Sequence, residues 1–171
     1  MQMVKKIFIA LFILWFMLLV CMPKQELYFK LEKELAKQGI EINEQNIDEG
    51  VFSLTIDKAT VYYKGINVLN IEKIDFFTLL FYSKLQINDL LLDDSLKEMA
   101  PQKTDKLILS SSLVSPLSIA VDAKGVFGVV SGDVALKERK LHLDFLEAQE
   151  IEMIKSHLKK DEKGWHYETS F

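Results

Sequence analysis

The sequence contains few of the residues from which disulfides, metal sites and nucleic-acid contacts are built. Cys21 is the only cysteine among 171 residues, which excludes an intramolecular disulfide and a cysteine-based zinc cluster. The three histidines, His142, His157 and His166, follow no spacing typical of metal ligands. Arg139 is the only arginine and the net charge is −4, so a nucleic acid and an anionic membrane surface are both poor candidates for a direct partner.

The motifs of common catalytic sites are missing as well. The chain has no Gly-x-Ser-x-Gly, and Gly125, Gly128 and Gly132 follow a β-type pattern without the Gly-Lys-Ser/Thr of a phosphate loop. Asp93 and Asp94 are adjacent in a polar stretch, whereas an acid–base pair needs two separately placed groups. We therefore expect no catalytic residue, no cofactor and no metal, and a protein that acts by binding.

A long apolar run near the start of the chain is the first positive signal. Lys5 and Lys6 precede an uncharged stretch, Ile7 to Met22, which Pro23 and Lys24 end. About 17 residues separate the flanking lysines, the short limit for crossing a bilayer core of roughly 30 Å. This pattern predicts an uncleaved transmembrane anchor. Its candidate residues are Ile7, Phe8, Leu11, Leu14, Trp15 and Leu18.

The lysines before this run predict an orientation and a compartment. They favour a cytoplasmic N-terminus, with residues 24–171 in the periplasm of a bacterial single-pass inner-membrane protein. A cleaved signal peptide competes with this interpretation, although the run does not end in a small-x-small site. A lipoprotein modified at Cys21 would have Gly, Ala or Ser before the cysteine, where this chain has Val20. Whether the anchor is cleaved stays open at this point.

Changes of hydrophobic period divide the rest of the chain. Residues 24–39 predict a juxtamembrane helix, because Leu27, Leu31 and Leu35 recur every four residues before Gly39. Residues 40–171 predict a β-rich domain, with a polar loop near 93–106 dividing it into two halves. Residues 147–160 resemble a short amphipathic helix. The stretch FFTLLFYS, 76–83, is too short to span a bilayer and predicts a hairpin with aromatic packing, or one that docks on a membrane or partner.

Three octets in the first half repeat one pattern. LTIDKATV, LNIEKIDF and LQINDLLL begin at Leu54, Leu69 and Leu85, and in each the alternation of apolar residues slips by one at a polar pair. A strand that keeps one face apolar through such a slip needs an extra residue, a β-bulge. The octets therefore predict bent strands in a curved antiparallel sheet. Its apolar face would hold Leu54, Ile56, Val61, Leu69, Ile71, Phe76, Leu85, Ile87, Leu90 and Leu92.

This apolar face admits two interpretations. It is either a core buried against the helices and the second half of the domain, or a groove that stays partly open. An open curved face lined with Ile, Leu and Phe could hold an acyl chain, and an open edge could accept another protein's strand.

The layout up to Asp94 resembles the N-terminal unit of AsmA-like proteins and of the related protein N of the type II secretion system. The shared features are an apolar helix and a Pro-led helix, PKQELYFKLEKELAKQGIEI. FSLTIDKATVYYKGINVLNIEKIDF, a TLL turn and KLQINDLLLDD follow. The stretch SPLSIAVDAKGVFGVVSGDVALKERKLHLDF resembles the later hairpins of protein N. The resemblance covers most of the chain as a hydropathy pattern.

The resemblance implies an accessory or scaffold component of a secretion, pilus or DNA-uptake apparatus, which binds other envelope proteins through its β domain. The alternative is lipid or lipopolysaccharide transport, similar to the single-anchor component of the lipopolysaccharide transport bridge. Sheet edges would carry the first function, and residues lining a groove would carry the second.

Overall fold

The computed structural model describes residues 2–21, 23–79, 81–96, 101–149, 151, 154–155, 158–161 and 164–171. Two helices, α1 (Gln2–Val20) and α2 (Lys24–Ala36), precede the strands, and Asp94–Leu96 forms a single 3-10 turn. The strands are β1 (Ile40–Asn43), β2 (Asn46–Glu49), β3 (Ser53–Tyr63), β4 (Ile66–Leu79), β5 (Tyr82–Leu92), β6 (Lys103–Ser112), β7 (Ser115–Gly125), β8 (Gly128–Ala135), β9 (Lys140–Ala148), β10 (Lys159–Asp161) and β11 (Gly164–Ser170).

The described strands form one antiparallel sheet, in which most strands pair with their neighbours in sequence. The order is β1-β3-β4-β5-β6-β7-β8-β9-β11-β10, and β2 pairs with β3 beside β1. The predicted mainly β fold with an antiparallel sheet and flanking helices is therefore confirmed. The sheet continues through the polar stretch near 93–106, because β5 and β6 pair directly. The predicted helix over 147–160 falls partly outside the described residues, and its described ends belong to β9 and β10.

The predicted transmembrane anchor is wrong. Among the described residues, no helix has both the length and the apolar character needed to cross a membrane. The helix α1 ends at Val20, so its uncharged part from Ile7 is about 14 residues, or roughly 21 Å at 1.5 Å per residue. The sequence-based estimate counted residues up to Pro23, whereas the described helix ends at Val20. The structure therefore does not support a single-pass inner-membrane protein with a cytoplasmic N-terminus and a periplasmic remainder.

The predicted bulges exist, and they lie in one row across the sheet. Lys58 and Asp89 have positive φ angles of 52° and 49°. Asp57 pairs with Lys73 and Ala59 with Ile71, so Lys58 and Glu72 face each other as an extra residue in each strand. Glu72 and Asp89 are related in the same way between β4 and β5. Because each of two paired strands carries one extra residue, their register is the same on both sides of the bulges. Each strand bends at the same place.

The row of bulges ends at β6, and the register shifts between β6 and the next strand, β7. Asp105 lies opposite Asp89, since Asn88 pairs with Lys106 and Leu90 with Thr104. The register between β6 and β7 then shifts between Thr104 and Lys106, because β7 has no extra residue there. We call Lys58, Glu72, Asp89 and Asp105 the bulge row. It keeps both apolar pairs of each octet on one side, which we call the inner face.

The core lies on the inner face of the first strands. Leu54, Ile56, Ala59 and Ile71 are buried together, and Ile56 is only 3% exposed. Residues packed on this cluster come from α2 and from β1 to β5. The accessible surface is 11903 Å², against about 8,600 Å² for a compact monomer of this mass. The excess reflects a single-layer sheet and an exposed α1.

The bulge predicts that position 58 tolerates glycine better than valine, the reverse of the usual preference in a strand. Replacing Lys58 with Gly should leave the free energy of unfolding within about 1 kcal/mol of the parent, because glycine adopts positive φ without strain. Lys58→Val should cost about 1 to 2 kcal/mol more, since a β-branched residue disfavours that conformation. Urea denaturation measures both. Thr60→Gly, at an ordinary strand position, is the control and should lose about 1 kcal/mol. Equal stability of the Gly and Val variants would contradict the bulge.

The inner-face core predicts a strong dependence on Ile56. Ile56→Asp should lower the free energy of unfolding by more than about 3 kcal/mol, because it places a charge without a partner among buried apolar side chains. Ile66→Asp, at a position that is 63% exposed, is the matched control and should change stability little. Similar losses for the two variants, measured by chemical denaturation, would show that the inner face is not the core.

Candidate binding surfaces

The predicted apolar β face forms a continuous surface. Its ten residues lie on the inner face, where Leu54, Ile56 and Ile71 are buried and the others are half-buried. The same face continues across the sheet as a cross-strand row of paired residues. This row runs Ile47, Ile56, Ile74, Ile87, Leu107, Ala123, Val130, Phe145 and Trp165.

Helix α2 closes the first part of this inner face. Its Tyr28 packs on the core cluster and its hydroxyl donates a hydrogen bond to Glu44 Oε2 at 3.2 Å. Burial, followed by the Glu44 carboxylate, raises the pKa of Tyr28 above its usual value. At the start of the helix, the buried Lys24 donates its backbone N–H to Glu49 Oε1 at 2.8 Å. These attachments to acids outside the octets have no signal in the hydrophobic pattern.

The inner face of the second half is covered less completely. Val121 and Val130 are buried there, as is Ile151 after β9. Between these residues and the core, Leu85, Leu107 and Leu109 are half-buried. This middle strip is one part of the inner face where the described chain leaves apolar side chains partly in contact with solvent.

The outer face is polar and carries two shallow clefts. Cross-strand hydrogen bonds such as Thr55–Asp75, at 2.9 Å, join its side chains. A cleft of about 460 Å³ follows the bulge row and is lined by Lys58, Glu72 and Asp89 among others. A second cleft, of about 200 Å³, lies over β6 to β8. Both belong to the outer face, so neither is the predicted groove.

The histidines do not assemble a reactive site among the described residues. His142 and His166 lie on the outer face with ring centroids 5.7 Å apart. His142 Nε2 is 3.2 Å from Asp144 Oδ1, and His166 Nδ1 is 3.7 Å from Asp161 Oδ2. His157 lies outside the described residues. In the part of the chain that the structure describes, no group of three or more His, Cys, Asp or Glu could hold a metal ion.

In the described part of the sheet, the final strand has an open edge. The short β10 pairs only with Gly164, Trp165 and His166 of β11. On that side, the described sheet places no strand beside residues 167–170. Lys159 Nζ lies 3.4 Å from Glu168 Oε2 at the boundary between the covered and uncovered parts.

One end of the sheet carries most of the exposed apolar side chains outside the helices. In an antiparallel meander, every second turn lies at the same end, so the turns β2–β3, β4–β5, β6–β7 and β8–β9 meet there with the last residue of the chain. Ten of the fourteen large apolar side chains that are exposed in described non-helical segments belong to this end. We call them the apolar rim: Val51, Phe77, Leu79, Phe81, Tyr82, Leu113, Val114, Leu117, Leu136 and Phe171.

The residues predicted to form the anchor adjoin this rim. Trp15 of α1 contacts Phe81 with ring centroids 5.3 Å apart, and Phe16 approaches Phe52 at 6.2 Å. Four anchor residues are more than half exposed: Ile7, Phe8, Leu11 and Leu14. The side chain of Leu18 lies outside the described residues.

No family model, curated protein or solved structure matches the chain.

The contact between Tyr28 and Glu44 predicts a pH-dependent stability. Tyr28→Phe keeps the ring on the core but loses the hydrogen bond, which should cost about 1 kcal/mol at neutral pH. Because the folded state raises the pKa of Tyr28, the parent's advantage should hold below about pH 10, the ordinary tyrosine value, and shrink above it. Urea denaturation at several pH values measures this difference. Tyr63→Phe, at an exposed tyrosine, is the control; a constant difference through alkaline pH would contradict the assignment.

Proposed function

We propose that this chain is a non-enzymatic scaffold or accessory component of a secretion-type apparatus, which binds protein partners along the edge of its sheet. The open edge of β11 at residues 167–170 is the observation on which the proposal depends. A strand edge presents backbone N–H and C=O groups that another extended chain can pair with. Main-chain pairing gives affinity without a catalytic or cofactor site.

Helix α2 covers the inner face of the first strands, which favours binding at the edge of the sheet over binding on that part of the inner face. Tyr28 of α2 packs on the cluster of Leu54, Ile56, Ala59 and Ile71. A partner or acyl chain would have to displace this helix before it reached those residues. The edge of β11 requires no such displacement.

The titratable side chains of the outer face are consistent with a solvated surface. Lys103 Nζ lies 3.6 Å from Asp89 Oδ1 and 3.1 Å from Asp105 Oδ1, and these carboxylates raise the pKa of Lys103, Asp105 first. Such ion pairs form at exposed positions and contribute little to stability. They resemble the charged outer surface of a sheet more than a pocket prepared for catalysis.

The half-buried middle strip favours a second candidate function. Leu85, Leu107 and Leu109 lie on the inner face between two buried patches. An acyl chain laid across this strip would remove further apolar surface from water, at roughly 25 cal/mol per Å². This arrangement would suit lipid or lipopolysaccharide transport.

Photo-crosslinking in cells that make the protein discriminates between these functions. A photoreactive amino acid is placed at Glu168 on the open edge, at Leu109 on the middle strip, or at Asp133 on the outer face of the central strand β8. Protein adducts from Glu168, with silence from Asp133 and Leu109, are expected. Asp133 is the matched control, because it shares the outer face with Glu168 but lies within the sheet.

Two other outcomes would reject edge binding. Lipid adducts from Leu109, with none from Glu168, would establish the acyl-chain function in its place. Protein adducts as frequent from Asp133 as from Glu168 would show that partners contact the outer face and not the edge.

A further inference from the structure

The apolar rim is a concentrated feature and not a scatter of surface residues. Single exposed apolar side chains are normal on proteins. Here successive turns at one end each expose one: Val51 is 56% exposed, Phe81 52%, Val114 92% and Leu136 42%. These residues come from separate hairpins and meet only because the meander brings alternate turns to one end.

The described part of the chain leaves this rim exposed. Helix α1 touches it through Trp15 and Phe16, at the turns that hold Phe81 and Phe52. Most of the described side chains of this helix are exposed, with Phe8 71% and Leu14 57% exposed. It therefore enlarges the apolar surface, and Val114 at the next turn stays almost wholly in solvent.

The charges beside the rim have the opposite sign to the chain as a whole. The described turns at this end, 50–52, 81, 113–114 and 136–139, carry Lys137 and Arg139 against Glu138. Lys84 in β5 and Lys140 in β9 follow these turns, and Glu49 at the end of β2 precedes the first of them. The net charge of the whole chain is −4. The described turns at the opposite end, 64–65, 93–96, 101–102 and 126–127, carry Lys64 against Asp93 and Asp94.

From this combination we infer that the apolar rim docks on an anionic lipid surface. Apolar and aromatic tips enter the boundary between headgroups and acyl chains, where aromatic side chains are favourable. The cations behind the tips then lie at the level of the phosphates, each contributing to attraction. A second copy placed rim to rim would bring the same four cations against one another. The inference is independent of the edge-binding function.

The test measures the environment of the tips directly, because α1 alone could carry the chain to a vesicle. Single-cysteine variants of the full chain, Val114→Cys and Ile66→Cys, are made with Cys21→Ser and labelled with an environment-sensitive fluorophore. The vesicles contain phosphatidylcholine alone or phosphatidylcholine with phosphatidylglycerol, with or without a nitroxide quencher on the acyl chains. Ile66 is the matched control, since it is 63% exposed at the opposite end.

Docking of the rim predicts a blue shift and nitroxide quenching at position 114, and neither at position 66. Lys137→Gln with Arg139→Gln should weaken partition onto the anionic vesicles by roughly fivefold per cation, and leave partition onto phosphatidylcholine unchanged. Lys64→Gln with Lys124→Gln, away from the rim, should have no such effect.

Three results would overturn the inference. Vesicle association with both labels remaining in water would mean that α1 binds and the rim does not. A concentration-dependent blue shift at position 114 without vesicles would mean that the rim contacts a second copy. Equal quenching at positions 114 and 66 would mean that the sheet lies on the lipid by another surface.

Discussion

The fold depends on keeping one face of a bent sheet apolar across several strands at once. Side chains alternate strictly along a strand, so one extra residue sends every later side chain to the other face. Lys58, Glu72, Asp89 and Asp105 each insert such a residue into adjacent strands at the same row. If one strand lacked its insertion, its apolar residues beyond the row would point outward while its neighbours' pointed inward. The bend and the continuity of the core therefore share one cause.

The meander converts these local patterns into distinct surfaces. Because consecutive strands pair, the apolar octets form one inner face and the polar positions form one outer face. Because alternate turns share an end, residues distant in sequence, such as Val51 and Leu136, meet at the apolar rim. Helix α2 then closes part of the inner face, and the middle strip, the edge of β11 and the rim are among the apolar or unpaired surfaces of the described chain.

The sequence predicts the bulges well because a phase slip is a local signal. The positions of Lys58 and Asp89 follow from the octets alone, and the structure confirms them with positive φ angles. The alignment of the bulges in one row depends on strand register, which the octets do not specify. A similar limit applies to Gly132, where a glycine predicts close backbone approach without naming the neighbour. In the structure, a Cβ there would lie 2.0 Å from the carbonyl oxygen of His142.

The wrong anchor near the chain's start and the wrong ends of the helix predicted over 147–160 have different physical origins. At the start, hydropathy gives the extent of an apolar run but not the residue at which its helix ends. The helix α1 stops at Val20, before Pro23. Near the end, residues 147–160 have apolar residues at helical spacing, but β9 extends to Ala148 through pairing with β8. Cross-strand hydrogen bonds can override local periodicity, and their partners are not visible in a short window.

The contacts that attach α2 to the sheet could not be predicted from the hydrophobic pattern either, because they involve residues that are not neighbours in the sequence. The leucines at helical spacing predict its apolar side, yet Leu27 and Leu31 are 40% and 56% exposed. Tyr28, between them, contacts the core instead. The orientation of the helix is set by the contacts of Lys24 with Glu49 in β2 and of Tyr28 with Glu44 between β1 and β2, which a hydrophobic pattern does not specify.

A single-layer sheet leaves part of its apolar surface exposed to water. A second layer normally covers the apolar face of a sheet, and among the described helices α2 contacts the first strands. Outside the helices, most of the large apolar side chains that are exposed lie at the rim, and the middle strip is half-buried. Apolar surface exposed to water is unfavourable. Association with another molecule would therefore lower the free energy most at these locations. The rim differs from the strip because cations surround it, which gives the two surfaces different preferred partners.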